Sequence, residues 1–143
     1  MWSRTYSKKV TGLKVEDVWA VWADINQWHK WHDDIEYAKL IGEFKVGNKF
    51  ILKPKNGPKV SMELIKIELY KNFTDLTKFP GARMYGIHEF IMNDGVLEIK
   101  TTMQIEGVLS FIWRKLVAEK IADTEEEQTN KLIERVIDIN NKK

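Results

Sequence analysis

Gly107–Asn140 reads GVLSFIWRKLVAEKIADTEEEQTNKLIERVIDIN, and reading it as one long helix decides the fold. Apolar residues recur at Leu109, Ile112, Trp113, Leu116, Val117 and Ile121, then at Leu132, Ile133, Val136 and Ile137. That is the i, i+3, i+4 spacing of a single buried stripe. No Pro or Gly interrupts it after Gly107, and Glu127 stands four residues before Lys131 for helical charge support. About 30 residues at 1.5 Å each give roughly 45 Å, longer than most small domains are wide. Such a helix needs a broad surface to cover its stripe, and the strands upstream supply one.

From Ile35 onward the apolar period changes to two. The alternation predicts strands near 34–41, 48–54, 60–70, 74–79, 83–92 and 96–106. The breaks carry turn chemistry at Gly47-Asn48, Asn56-Gly57-Pro58, Lys71-Asn72, Pro80-Gly81 and Asn93-Asp94-Gly95. All are too short for a crossover helix, so the six strands form an antiparallel meander. With Asp94-Gly95 as a two-residue loop, Met92 faces Leu97, Phe90 faces Ile99, His88 faces Thr101, Gly86 faces Met103 and Met84 faces Ile105. Glu89 then meets Lys100 and Arg83 meets Glu106, two opposite-charge pairs on the other face. For the hairpin at Asn56-Gly57 the face pattern favours a five-residue loop, Lys55 to Lys59, which sets Leu52 against Met62 and Phe50 against Leu64. The alternation then jumps to Ile65, Ile67 and Leu69, which predicts a bulge near Leu64–Ile65.

Ahead of the meander, residues 2–10 predict a first strand with weak alternation. Val15 to Ile25 predict a short helix with Val15, Val18, Trp19 and Trp22 on one face and a poor N-cap. Gln27 to His32 form a second short helical turn. The expectation is an α+β chain: strand, two short helices, six antiparallel strands and a long helix lying across the concave face of a curved, seven-stranded sheet.

The chain has 143 residues, the size of one domain, here taken as 1–143, and 43% of them are apolar. Net charge is +2, and the Lys and Arg residues are scattered among acids, so there is no electrostatic footprint for nucleic acid. There is no Cys, which removes disulfide and thiol chemistry. Met1 to Lys9 lacks the apolar core of a signal peptide, and no apolar run is long enough to cross a bilayer. The default is a soluble cytoplasmic protein. The six Trp read first as packing residues.

Several local features point one way: Val15-Glu16-Asp17-Val18-Trp19, then Asp24-Ile25-Asn26-Gln27-Trp28-His29-Lys30-Trp31, then Gly47-Asn48 before a strand. Together with the element order they resemble the E-x-V-W … D … W-x-x-W … G-x pattern of the polyketide cyclase/dehydrase-like proteins, within the START-related, pollen-allergen-like (SRPBCC) superfamily. The resemblance covers essentially the whole chain and implies a helix-grip fold. It also implies an internal cavity for a hydrophobic ligand. That family usually carries Pro after the second Trp; His32 stands there instead, which alters the mouth of the site. Its members include cyclases, lipid and quinone carriers, hormone receptors and chaperone activators, and fold alone does not choose among them.

The inferred inner face carries Phe50, Leu52, Val60, Met62, Met84, Gly86 and His88, then Phe90, Met92, Leu97, Ile99, Thr101 and Met103. Every Met after Met1 lies on it, and Met suits surfaces that adapt to varied apolar ligands; an ordinary core with Met as gap filler is the alternative. Gly86 either leaves space or lets another group approach. With Trp113 and Leu116 from the helix, this face is the expected ligand-binding surface (Val60 and Leu97 excepted). His88 beside Thr101 is the one polar pair placed inside. It is the catalytic candidate, since imidazole suits acid–base work near neutral pH, although a lone His on an apolar strand is more often a neutral core residue.

His29 and His32 with Asp33 and Asp34 have a spacing that could hold a metal, but no second cluster completes the shell, so neither metal nor cofactor is expected. Trp28 and Trp31 could line a cavity entrance or lock the short helix onto the sheet edge. Lys120 could meet an acidic head group or snorkel to water. Glu125-Glu126-Glu127 reads as a solvated helix face. Arg83 and Glu89 point outward, so inward titratable groups look scarce.

The leading expectation is therefore a binding protein for a lipid, polyketide or isoprenoid-like molecule. A polyketide cyclase or dehydratase using His88 is the alternative, and a protein-interaction module such as a chaperone activator is the third reading.

Overall fold

A computed structural model describes all residues, 1–143. β1 (Trp2–Thr11) leads into α1 (Val15–Ala23) and a 3-10 turn, Ile25–Lys30. The meander follows as β2 (Ile35–Leu40), β3 (Lys49–Pro54), β4 (Val60–Glu68), β5 (Asn72–Phe79), β6 (Ala82–Asn93) and β7 (Val96–Glu106). The strands make one antiparallel sheet in the order β1-β7-β6-β5-β4-β3-β2, so the N-terminal strand closes the meander beside β7. This is the expected helix-grip architecture, and every expected strand is present.

The register of the last hairpin is the one its turn demands. Asp94 and Gly95 both have positive φ, 51° and 78°, which is the two-residue turn that matches strand twist. Met92 then pairs with Leu97, Phe90 with Ile99, His88 with Thr101, Gly86 with Met103 and Met84 with Ile105. The bulge falls between Leu64 and Lys66, as the change of phase requires. The β3–β4 hairpin differs. Phe50 pairs with Met62 and Leu52 with Val60, two residues from the expected register. The faces survive because the shift is even. The loop is longer because Lys53 and Pro54 leave β4 and pair only with Tyr37 and Ile35 of β2.

The C-terminal helix is articulated rather than continuous. It runs as α2 (Ser110–Trp113), a π turn (Arg114–Ala118), α3 (Glu119–Asp123) and α4 (Glu125–Asn141). In the π turn the Glu119 N–H reaches back five residues to the Arg114 carbonyl. At the second break the Thr124 hydroxyl donates to the Ile121 carbonyl at 2.8 Å and satisfies the end of α3. The inserted residue in the π turn changes the phase of the stripe. Ala118 and Ala122 face the sheet, and Leu116, expected inside, is exposed. Gly107 opens this segment at φ 117°, where a Cβ would meet the Gly81 carbonyl oxygen at 2.5 Å; only glycine lets the two turns lie this close.

The interior divides in two. A large cluster of 18 buried residues joins α1, the 3-10 turn and α4 to the sheet. Its centre is Trp22, edge-on to Trp28 at 5.0 Å and Trp31 at 5.3 Å, with the Trp28 indole N–H donating to the Trp22 carbonyl at 2.9 Å. A small cluster of six, Ala82, Met84, Met103, Ile105, Ala118 and Ala122, lies under the broken part of the helix.

Candidate functional site

Between the two clusters runs a belt of buried polar side chains. Along β6 the small cluster's Met84 gives way to Gly86 and His88 before Phe90 of the large one. Along β7 Met103 gives way to Thr101 and then Ile99. On the helix, Ala118 and Ala122 give way to Glu125 and Thr129, then Leu132 and Val136. Those six helix positions are spaced four and three alternately, one face throughout. From β5 comes Asp75, opposite Gly86 in the β5–β6 register.

Gly86 is what admits the Asp75 carboxylate. A Cβ there would lie 2.8 and 3.0 Å from its two oxygens. Of the two expectations for this glycine, close approach is the one realised. The Asp75 carboxylate accepts a hydrogen bond from His88 Nε2 at 3.2 Å. The carboxylate accepts, so Nε2 is the donor, and in the neutral ring Nδ1 is left as an acceptor. Phe73 stacks on the imidazole at 4.5 Å and Trp22 tilts over it at 5.0 Å, fixing the ring from two sides. His88 Nδ1, Glu125 Oε2 and Thr77 Oγ1 are all buried with no hydrogen-bond partner. Burial pushes the Glu125 carboxyl up to about 7, against the pull of His88 and with the Asp75 charge adding to the rise. A carboxyl with that pKa is part neutral, part charged near neutrality. The belt therefore holds an acceptor nitrogen and a carboxyl able to donate or accept, both with free capacity.

The expected inner residues Phe50, Met62, Met84, Gly86, His88, Phe90, Ile99, Thr101 and Met103 are all buried, and Leu52 is partly so. Met92 is not; it lies at the last turn and is exposed. Trp113, expected to face the sheet interior, is partly buried against the small cluster and also reaches the β5–β6 turn. Its indole N–H donates to the Pro80 carbonyl at 2.9 Å and its ring stacks on Phe79 at 4.4 Å. Lys120 is exposed. Trp28 and Trp31 are buried in the large cluster, which favours the packing reading for both. His29 is exposed; His32 is partly buried, and burial holds its imidazole below the usual range against the opposing pull of Asp34 and Asp33.

Two site residues escape the sequence reading. Glu125 is buried while Glu126 and Glu127 are exposed, so the three acids are not one solvated face. Asp75 is buried too, so inward titratable groups are not scarce. Registering the Pro80-Gly81 hairpin would have found Asp75, since a two-residue turn there puts it opposite Gly86. Two clefts lie outside the belt. One, of about 200 Å³, lies between α1 and the end of α4 and includes Asp17, Gln27, Trp31 and Arg135. The other lies by the β5–β6 turn, at Lys78, Arg83 and Glu106.

No protein-family model and no curated protein matches the chain. Solved structures do. A START superfamily protein from Mycobacterium smegmatis superposes with a TM-score of 0.74 at 10% identity, over 96% of this chain and 98% of that one. Ara h 8.0201 gives 0.71 at 12% identity, over 96% and 99%. Norcoclaurine synthase from Thalictrum flavum, solved with dopamine and hydroxybenzaldehyde, gives 0.69 at 11% identity, over 95% and 87%. At these identities the likeness is one of fold: the helix-grip fold of START-related and pollen-allergen-like proteins, as the sequence resemblance implied.

Proposed function

We propose that the chain binds a small, largely apolar molecule carrying one polar group, held between the sheet and the C-terminal helix with that group at His88, Asp75 and Glu125. The observation that carries this is the unfilled hydrogen-bonding capacity of the belt, at His88 Nδ1 and Glu125 Oε2, inside an otherwise apolar interior. Burying a carboxyl and an imidazole without full pairing costs stability that an apolar core would not lose. A ligand hydroxyl would complete both groups, donating to His88 Nδ1 and accepting from protonated Glu125. Lipids, polyketides and isoprenoid-like molecules fit this chemistry, with the cytoplasm as the place of action. The aromatic end is filled, so the ligand's apolar part goes to the thinner end, where Met84 and Met103 can repack. Entry is by displacement of α3, hinged at the π turn and at Thr124.

Native mass spectrometry of freshly purified protein, then solvent extraction, tests this. A discrete added mass, weakened in His88→Ala, is expected. An apo mass that does not shift with fatty acids, quinones or polyketides counts against it.

A second reading, an enzyme acting on an enolisable carbonyl such as a poly-β-keto chain, is favoured by the free Nδ1 of a His88–Asp75 pair beside a carboxyl of pKa about 7. His88 Nδ1 would take the α-proton, Asp75 would stabilise the imidazolium, and protonated Glu125 would give its proton to the carbonyl oxygen as the enol forms. Under this reading His88→Ala abolishes turnover while affinity stays, and the rate falls as pH rises past about 7. A carrier loses affinity and has no such profile.

A further inference from the structure

The apolar residues at the start of the C-terminal helix turn outward. Val108 is 85% exposed, Phe111 65% and Leu116 54%, with Leu109 and Ile112 also exposed. Single exposed apolar side chains are ordinary, but five within nine residues form a patch. The support beneath them is fixed. Trp113 is bonded to Pro80 and stacked on Phe79, and the Leu109 N–H donates to the Gly81 carbonyl at 2.9 Å.

The rim of this tip is basic. Lys78 and Arg83 flank the turn that Leu109 touches, and Arg114, Lys115 and Lys120 follow on the helix; only Glu106 and Glu119 oppose them. Glu119 is already held by Arg114 at 3.1 Å and Lys115 at 3.3 Å. Past Ala122 the sign reverses with Asp123, Glu126 and Glu127, all exposed. An apolar tip with a cationic rim and acids behind it is an oriented surface.

We infer that this tip docks on an anionic lipid bilayer, with Val108, Phe111 and Leu116 entering the boundary between head groups and acyl chains while the lysines and arginines meet lipid phosphates. The long Lys and Arg stems lie along apolar surface while their charges reach the head groups. A second copy of the chain is a poorer occupant, because a symmetric contact would set five cations and two anions against the same set. The inference does not rest on the ligand reading: docking needs only the outer face of α2 and its surroundings, the ligand the inner belt.

Flotation with vesicles tests it, using phosphatidylcholine alone and phosphatidylcholine mixed with phosphatidylglycerol. Binding to the mixed vesicles, weakened by added salt, is expected. Val108→Ser with Phe111→Ser should lower partitioning by about tenfold or more, and Lys115→Glu with Lys120→Glu should remove the preference for the anionic lipid. The substituted residues are exposed, so unchanged circular dichroism and thermal midpoint are expected. Equal binding to both vesicle types, no binding, or no effect of the serine pair overturns the inference. So does a concentration-dependent dimer that the serine pair dissolves. The serine-pair protein should keep any co-purified ligand mass, which separates failure here from failure of the ligand reading.

Discussion

The two ends of the interior are built on opposite plans. At one end Trp19, Trp22, Trp28, Trp31, Phe50, Phe73 and Phe90 fill the space under α1 and a regular α4. At the other, alanines and methionines lie under a helix broken twice within eleven residues, Arg114 to Thr124. Packing density is stability at the first end, where Trp22 meets Trp28, Trp31 and Phe73 edge-on. At the second end the small side chains leave little for the helix to grip, and its backbone bonds are rerouted twice. The polar belt sits where the two plans meet, rigid on its aromatic side and adjustable on the other. A ligand or substrate site gains from that asymmetry: the His88 ring is held still while the helix over it can move.

The largest effect that would sharpen this contrast is Trp22→Ala. It should cost about 4 kcal/mol in urea unfolding, against about 2 kcal/mol for Met103→Ala at the thin end. Equal losses would break the distinction between a filled end and a yielding one.

Glu125→Gln comes next. The folded-state pKa of Glu125, about 7, lies above its ordinary 4.5, so the folded chain holds a proton that the unfolded chain has released. Its effect is absent below the ordinary value. Stability falls as pH rises between the two and is lowest above about 7, by up to about 3 kcal/mol. The Gln variant should flatten that decline and be the more stable protein at alkaline pH. An unchanged slope would mean that Glu125 is not held in the belt.

Gly86→Ala should destabilise by about 1–3 kcal/mol, because the new methyl group meets the Asp75 carboxylate. It should also displace Asp75, seen as changed His88 imidazole chemical shifts by NMR; loss of stability without that change would uncouple the glycine from the pair.

The smallest effect is kinetic. Backbone amides of 110–123 should exchange hydrogen faster than those of 129–136, with no substitution at all. Equal protection would make the helix a single unit.

The β6–β7 register is legible in the sequence because Asp94-Gly95 admits one turn and the strands on either side alternate cleanly. Turn and alternation alone put His88, Thr101 and Gly86 on the inner face. Asp75 is legible only through the Pro80-Gly81 turn, which sets it opposite Gly86, because its own strand mixes apolar and polar residues. Glu125 is hidden by its neighbours: three successive glutamates look alike in sequence, and only the phase of the helix separates the buried one. That phase is carried by Leu132 and Val136, seven and eleven residues further on, and not by the apolar residues ahead of the π turn. Leu116 falls elsewhere than periodicity predicts because the π turn, which no Pro or Gly announces, shifts the phase of the stripe.

What the sequence determines by itself is the order of elements, the sheet faces and the fold, because turn chemistry and periodicity are local and each acts within a few residues. What only the tertiary structure decides is which polar groups meet inside. That depends on helix phase and cross-strand register summed over the whole chain, where one inserted residue turns a leucine outward and the stripe of α4 leaves a glutamate facing a histidine.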